Sequence, residues 1–341
     1  QNAENRRILG GSPFVMDIDG DGDDDILLPP APGREVVPEW SEEGLEEEQR
    51  ELFFVMLSED GVLQLPVKTN IKAGNAPQHT NPRVADFNGD GLADVLLCRA
   101  PDTVDAKGVW AIAEKSQAGG TDFREVTIGA ARVDCDDHMA FLFDYNRDGR
   151  SDLLYSFGDT FRALYGDADE SGNVIYKTVD TGVPVPGFEF EQVVLGDESC
   201  VGRNCNRAVL RQTNPVRVMD MNGDGLGDLL INHGVGLSLV RWFNTGAGFV
   251  KELTSSGSVL EAPGEGEFGY MFASAVVVDH NHDGRQDLLI PTGPGGEVQQ
   301  GVDQTGEWVV LESTDDGFDM IKTGITSYVG GWDTEHVLPK V

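Results

Sequence analysis

Asp86-Phe87-Asn88-Gly89-Asp90-Gly91-Leu92-Ala93-Asp94, followed at once by Val95-Leu96-Leu97, is the stretch that decides the fold. Acids or amides at positions 1, 3, 5 and 9 with a glycine at position 6 read as a tight turn, and the aliphatic run behind them reads as a strand. The pattern Asp-x-Asn/Asp-x-Asp-Gly-x-x-Asp then aliphatics occurs five times: Asp17 to Asp25, Asp86 to Asp94, Asp144 to Asp152, Asp220 to Asp228 and Asp279 to Asp287. The starts at 17, 86, 144, 220 and 279 lie 69, 58, 76 and 59 residues apart. Self-similarity of this kind marks a repeat architecture.

Two more elements recur in each interval. A short β-rich run enters the acidic loop, as in Arg83-Val84-Ala85, Phe141-Leu142-Phe143 and Ala275 to Val278. An apolar strand, a glycine-containing polar turn and a second strand follow it, from Leu52, Val109, Phe161, Leu237 and Glu297. These read as β-hairpins. One unit is therefore strand, acidic loop, strand, hairpin, and its four strands make one propeller blade. The expected fold is all-β, a β-propeller of four-stranded blades with five blades visible, part of a six- or seven-bladed ring. A closed five-blade ring is the alternative. The expected domain spans 8–341, with blades at 8–78, 79–137, 138–211, 212–271 and 272–335. An acidic excursion at 34–50 interrupts the first blade. His336 to Val341 repeats the H-x-x-P-basic-V entry seen from His79 to Val84, so a further blade is expected to start at 336–341.

Composition agrees with many turns and an acidic surface. Glycine supplies 43 residues, about one in eight, against a usual share of roughly 7%. The chain has 59 acidic residues against 25 basic and a formal net charge of −34. Such a field repels nucleic acid and anionic lipid and attracts cations. No run of about 18 apolar residues is present to span a bilayer.

The loops carry the chemistry of a hard cation. Calcium takes six to eight oxygen ligands. Side chains at positions 1, 3 and 5 are the expected ligands, with position 7 giving only its backbone carbonyl and position 9 closing the site. The candidate ligands are Asp17, Asp19, Asp21, Asp23 and Asp25; Asp86, Asn88, Asp90, Leu92 and Asp94; Asp144, Asn146, Asp148, Arg150 and Asp152; Asp220, Asn222, Asp224, Leu226 and Asp228; and Asp279, Asn281, Asp283, Arg285 and Asp287. Up to five calcium ions are expected, with the fully acidic first loop the tightest. The variety at position 7 suits a carbonyl-only contact. By the same template His280 and His282, at positions 2 and 4, are outward loop residues. Asp167 to Gly172 lacks a ninth-position acid and reads as an ordinary turn. An EF-hand would need an acid at position 12, where Leu28, Leu97, Tyr155, Ile231 and Ile290 stand.

These five loops resemble the FG-GAP/VCBS repeats, the calcium-loop propeller blades of integrin α-subunit heads and of many bacterial surface proteins. The resemblance implies a propeller with calcium in the loops joining the first two strands of each blade. The hairpin Trp242-Phe243-Asn244-Thr245-Gly246-Ala247-Gly248-Phe249 also resembles turns in propellers of Rhs-type proteins and the B components of Tc toxins. That likeness implies a shell or scaffold role.

No GxSxG, HExxH, Walker loop or helix-opening GxGxxG occurs, and the six histidines are scattered. The expectation is a non-catalytic, calcium-stabilised module of a larger secreted or surface protein, with a protein or glycan partner. Adhesion or glycan binding is the first alternative and a propeller hydrolase the second. Cys200 and Cys205 suit a local disulfide, while Cys98 and Cys135 are either a second pair or buried thiols. Extracellular calcium is the concentration such loops need.

Overall fold

The computed structural model describes residues 13–29, 52–59, 61–72, 82–99, 107–115, 120–134, 139–186, 192–194, 208–210, 215–232, 237–252, 259–260, 272, 275–291 and 304–329. The excursion at 34–50, the segment 336–341, and Cys135, Cys200 and Cys205 lie outside them. The chain divides into two compact units, Gln1–Thr181 and Gly182–Val341.

Apart from the single helical residue Phe272, the described elements are strands. In the first unit, β1 (Phe14–Met16), β2 (Asp25–Leu28) and β3 (Leu52–Met56) lead through the small hairpin β4 (Ser58–Glu59) and β5 (Val62–Leu63) to β6 (Val67–Lys72). β7 (Arg83–Ala85), β8 (Asp94–Arg99), β9 (Lys107–Lys115) and β10 (Phe123–Asp134) form the second sheet. β11 (Ala140–Phe143), β12 (Asp152–Phe157), β13 (Thr160–Ala168) and β14 (Val174–Pro184) form the third. In the second unit, β15 (Gln192–Val194) pairs with β16 (Ala208–Leu210). β17 (Val216–Met219), β18 (Asp228–Asn232), β19 (Leu237–Asn244) and β20 (Phe249–Lys251) make the fourth large sheet, to which β21 (Val259–Leu260) adds through β19. β22 (Val276–Val278), β23 (Asp287–Pro291), β24 (Gln304–Thr314) and β25 (Gly317–Val329) make the fifth. Each large sheet is thus an antiparallel meander of four strands, with the acidic loop joining its first two.

The register is the same in all five. The residue before position 1 faces the position-9 aspartate across the first pair: Met16 with Asp25, Ala85 with Asp94, Phe143 with Asp152, Met219 with Asp228 and Val278 with Asp287. The aliphatic run after each loop is the second strand, and its burial explains its composition. Leu96 and Cys98 pack with Leu153, Tyr155 and Leu164 of the third sheet, while Val95 and Leu97 pack with Ile18, Leu27, Phe53 and Val55 of the first. A strand covered on both faces needs apolar residues at consecutive positions rather than at alternate ones. In the second unit Met219 and Leu230 meet Leu288, Ile290, Val309 and Leu311 in the same face-to-face way. Position 12 of every loop sits in the second strand of its sheet, where an EF-hand would need the second helix.

The fifth hairpin differs from its sequence reading. Gln304-Thr305-Gly306 looks like the turn, but Gln304–Thr314 is one continuous strand and the chain reverses at Asp315-Asp316. Gly317 follows with φ 144°, a conformation that glycine takes without Cβ strain. The segment from Glu297 to Asp303, taken from sequence as the first strand, lies outside the described residues. The Asp167–Gly172 stretch is the β13–β14 turn, and its Asp169 carboxylate accepts the Ser171 and Asn173 N–H groups.

Candidate metal loops

Each loop is built by its own carboxylates accepting backbone N–H groups. The position-1 aspartate accepts from the position-6 glycine in all five copies, at 2.8–3.2 Å. The position-5 aspartate accepts from the position-7 N–H at 2.8–2.9 Å. A chain curled so tightly needs left-handed residues. Position 6 is one, from Gly22 (φ 96°) to Gly284 (φ 88°). Position 4 is another: Gly20, Gly89 and Gly223 share it with Arg147 (φ 62°) and His282 (φ 59°). Glycine at position 4 in three copies was the sequence signal for this requirement. His282→Gly is expected to stabilise the second unit by about 0.5–1 kcal/mol, the left-handed cost less the extra entropy of glycine. Gly89→Ala should cost about 1–2 kcal/mol from its φ alone, and its Cβ would also lie 3.0 Å from Arg150 Nε. Urea unfolding of both variants checks the pair of signs.

In four of the five copies position 2 is a buried anchor. Ile18, Phe87, Tyr145 and Met221 are buried there, a run of apolar residues that the sequence displays. His280 is the exception: it is exposed, as the loop template expects, although its Nδ1 lies 2.6 Å from Asp287 Oδ2, a bond that raises the His280 pKa. His282 is exposed.

Position 9 carries the largest departure from a ligand-only role. Asp25, Asp94, Asp152, Asp228 and Asp287 are fully buried. Oδ2 of each accepts the position-2 N–H at 2.8–3.1 Å. In four copies Oδ1 accepts an N–H from the end of the third strand or just after it: Ser58, Lys115, Asn244 and Ser313. In the third loop Asp152 Oδ1 has no hydrogen-bond partner, and the Gly166 N–H only lowers the carboxyl's pKa. One carboxylate therefore ties the loop to two strands of its sheet.

Burial pushes the carboxyls of Asp94, Asp152 and Asp228 up to about 7, against the pull of those N–H bonds. The folded pKa then exceeds the unfolded value, so the folded state holds the extra protons. In chelator, stability is expected to fall as pH rises from about 4 to about 7 and to level off above that. The urea midpoint against pH tests this, and a midpoint rising through the window would show that the N–H bonds outweigh burial.

The inner oxygens decide whether a cation fits. Asn88, Asn146, Asn222 and Asn281 at position 3 each donate Nδ2–H to the position-5 carboxylate. The first loop has Asp19 there and no such donor. Carboxylate oxygens of Asp17, Asp19 and Asp21 converge to within 4.8 Å of one another. Burial, then Asp21 and Asp25, raise the Asp19 pKa. Asn146 Oδ1 and Asp279 Oδ1, at positions 3 and 1 of their loops, are buried and lack any hydrogen-bond partner. Converging acids and orphaned oxygens on hard donors fit a calcium-like ion.

Position 7 is also more than a carbonyl. Leu226 is buried, Arg150 pairs with Asp148 at 3.3 Å, and Arg285 pairs with Asp315 at 2.7 Å.

No family model and no curated protein matches the chain. Among solved structures it is similar to a chain of the Photorhabdus luminescens Tc holotoxin pore, at 16% identity and a TM-score of 0.41. The match covers 96% of this chain and 13% of that one.

Proposed function

We propose that the chain is a non-catalytic, calcium-stapled β-propeller segment serving as a structural or interaction module of a larger secreted or surface protein. The observation that carries this reading is the five-fold loop, whose inner oxygens converge at Asp17, Asp19 and Asp21 and stay unpartnered at Asn146 and Asp279. Positions 1, 3 and 5 would hold the ion through side chains and position 7 through its carbonyl. The ion would neutralise the clustered carboxylates. Position 9 holds the loop closed around it.

The propeller reading rests on five four-stranded meanders with one register and on their face-to-face packing within each unit. The non-catalytic reading is supported by the fate of the buried acids. Position-9 carboxylates are used by backbone N–H groups, and Glu114 is held by the Tyr176 hydroxyl and Arg124. An oxidising, extracellular setting is supported by Cys98, which is disulfide-bonded to a residue outside the described set. Equilibrium dialysis against calcium tests the function: several ions bound per chain are expected, and none bound would end the reading.

A further inference from the structure

Beyond their own geometry, the loops are joined to one another. The Ser151 N–H, at position 8 of the third loop, donates to the Asp86 carbonyl, at position 1 of the second, over 2.8 Å. The Gln286 N–H, at position 8 of the fifth loop, donates to the Asp220 carbonyl, at position 1 of the fourth, over 2.6 Å. The Gln286 side chain closes the link by accepting the Asp220 N–H at 2.7 Å. The position-7 arginines reinforce both joints. Arg150 lies across Gly89, and Arg285 Cγ is 3.5 Å from where a Cβ on Gly223 would be. No such hydrogen bond joins the first loop to the second among the described residues.

We propose that the cation loops act as two coupled pairs, second with third and fourth with fifth, in which filling one loop raises the affinity of its partner. The proposal rests on the cation reading above. Position 1 supplies a ligand side chain, and position 8 stands between the position-7 carbonyl and the position-9 tie. An ion that fixes position 1 of one loop also fixes position 8 of the next, so the partner has less ordering left to do. The effect is reciprocal by linkage. Repulsion between the two ions opposes it, but the loops are largely exposed and salt screens them over about 8 Å. The Arg150 and Arg285 guanidiniums add no ligand and make the joint stiffer. Gln286 is a positioning residue: it touches the neighbouring loop's backbone, not the ion.

Equilibrium dialysis of the whole chain with calcium distinguishes the cases. Asp21→Ala, in the unjoined first loop, should remove one ion and leave the other affinities as they were. Asp283→Ala, an exposed position-5 change in the fifth loop, should remove one ion and weaken a second by about fivefold, the low end of usual coupling. Gln286→Ala should keep every ion and flatten the binding curve of the fourth and fifth loops, with near-UV circular dichroism unchanged. Loss of one ion in Asp283→Ala with no second affinity altered, and a Gln286→Ala curve matching the parent, would overturn the coupling alone. A parent chain that binds no calcium would overturn the cation reading itself.

Discussion

Replacing Asp228 with alanine is expected to destabilise the second unit by about 2–4 kcal/mol, in chelator as well as in calcium. The carboxylate is fully buried, with Oδ2 accepting the Met221 N–H at 3.0 Å and Oδ1 the Asn244 N–H at 2.8 Å. Its removal strands two buried donors, each worth about 1–3 kcal/mol. Part of that loss is returned, because burying the acid was itself costly enough to push its pKa up to about 7. Asp224→Ala makes the contrast. That side chain is half-buried and accepts the Leu226 N–H and the Asn222 Nδ2–H of its own loop, so in chelator its loss should cost about 1 kcal/mol. In calcium it should cost one ion more. Urea unfolding of both variants, with and without chelator, separates the tie from the ligand. An Asp228→Ala protein as stable as its parent in chelator would return position 9 to the ligand role alone.

Calcium at about 1 mM is expected to raise the melting temperature of the first unit by roughly 9 °C and of the second by roughly 6 °C. Each extracellular-type site adds on the order of 1 kcal/mol at that concentration. The first unit carries three loops and the second two. For units of this size 1 kcal/mol moves the midpoint by about 2–4 °C. Magnesium should do less, since it holds its water and prefers small octahedral sites. Differential scanning calorimetry in calcium, magnesium and chelator gives the comparison. Equal shifts with both metals, or none with either, would make the acidic loops solvated turns.

The acidic nonapeptide and the aliphatic strand behind it were legible because their signals are local. The ligand spacing, the turn glycine and the strand start all lie within 12 residues, and five copies confirm one another. Two further loop features are written in the sequence: the apolar run Ile18, Phe87, Tyr145, Met221 at position 2 and the glycines at position 4. Their roles depend on burial and on backbone φ, which the oxygen-donor spacing does not encode. The fifth hairpin was misplaced for a different reason. A polar Gln-Thr-Gly stretch inside a long strand resembles a turn until the pairing of Thr314 with Gly317 shows where the chain reverses.

By itself, then, the sequence determined the unit: a strand, an acidic glycine-turned loop, a second strand and a hairpin, because each depends on neighbours a few residues away. Only the tertiary structure decided what the ninth aspartate does and which loops touch. The N–H groups that meet Asp25, Asp94, Asp228 and Asp287 from the end of the third strand or just after it lie 33, 21, 16 and 26 residues away, placed by strand register. Asp220 and Gln286 are 66 residues apart and meet because one sheet packs on the next. A carboxylate looks the same in sequence whether it faces an ion or a buried amide; the packing around it chooses, since an amide left without an acceptor in the core costs more than folding can spare.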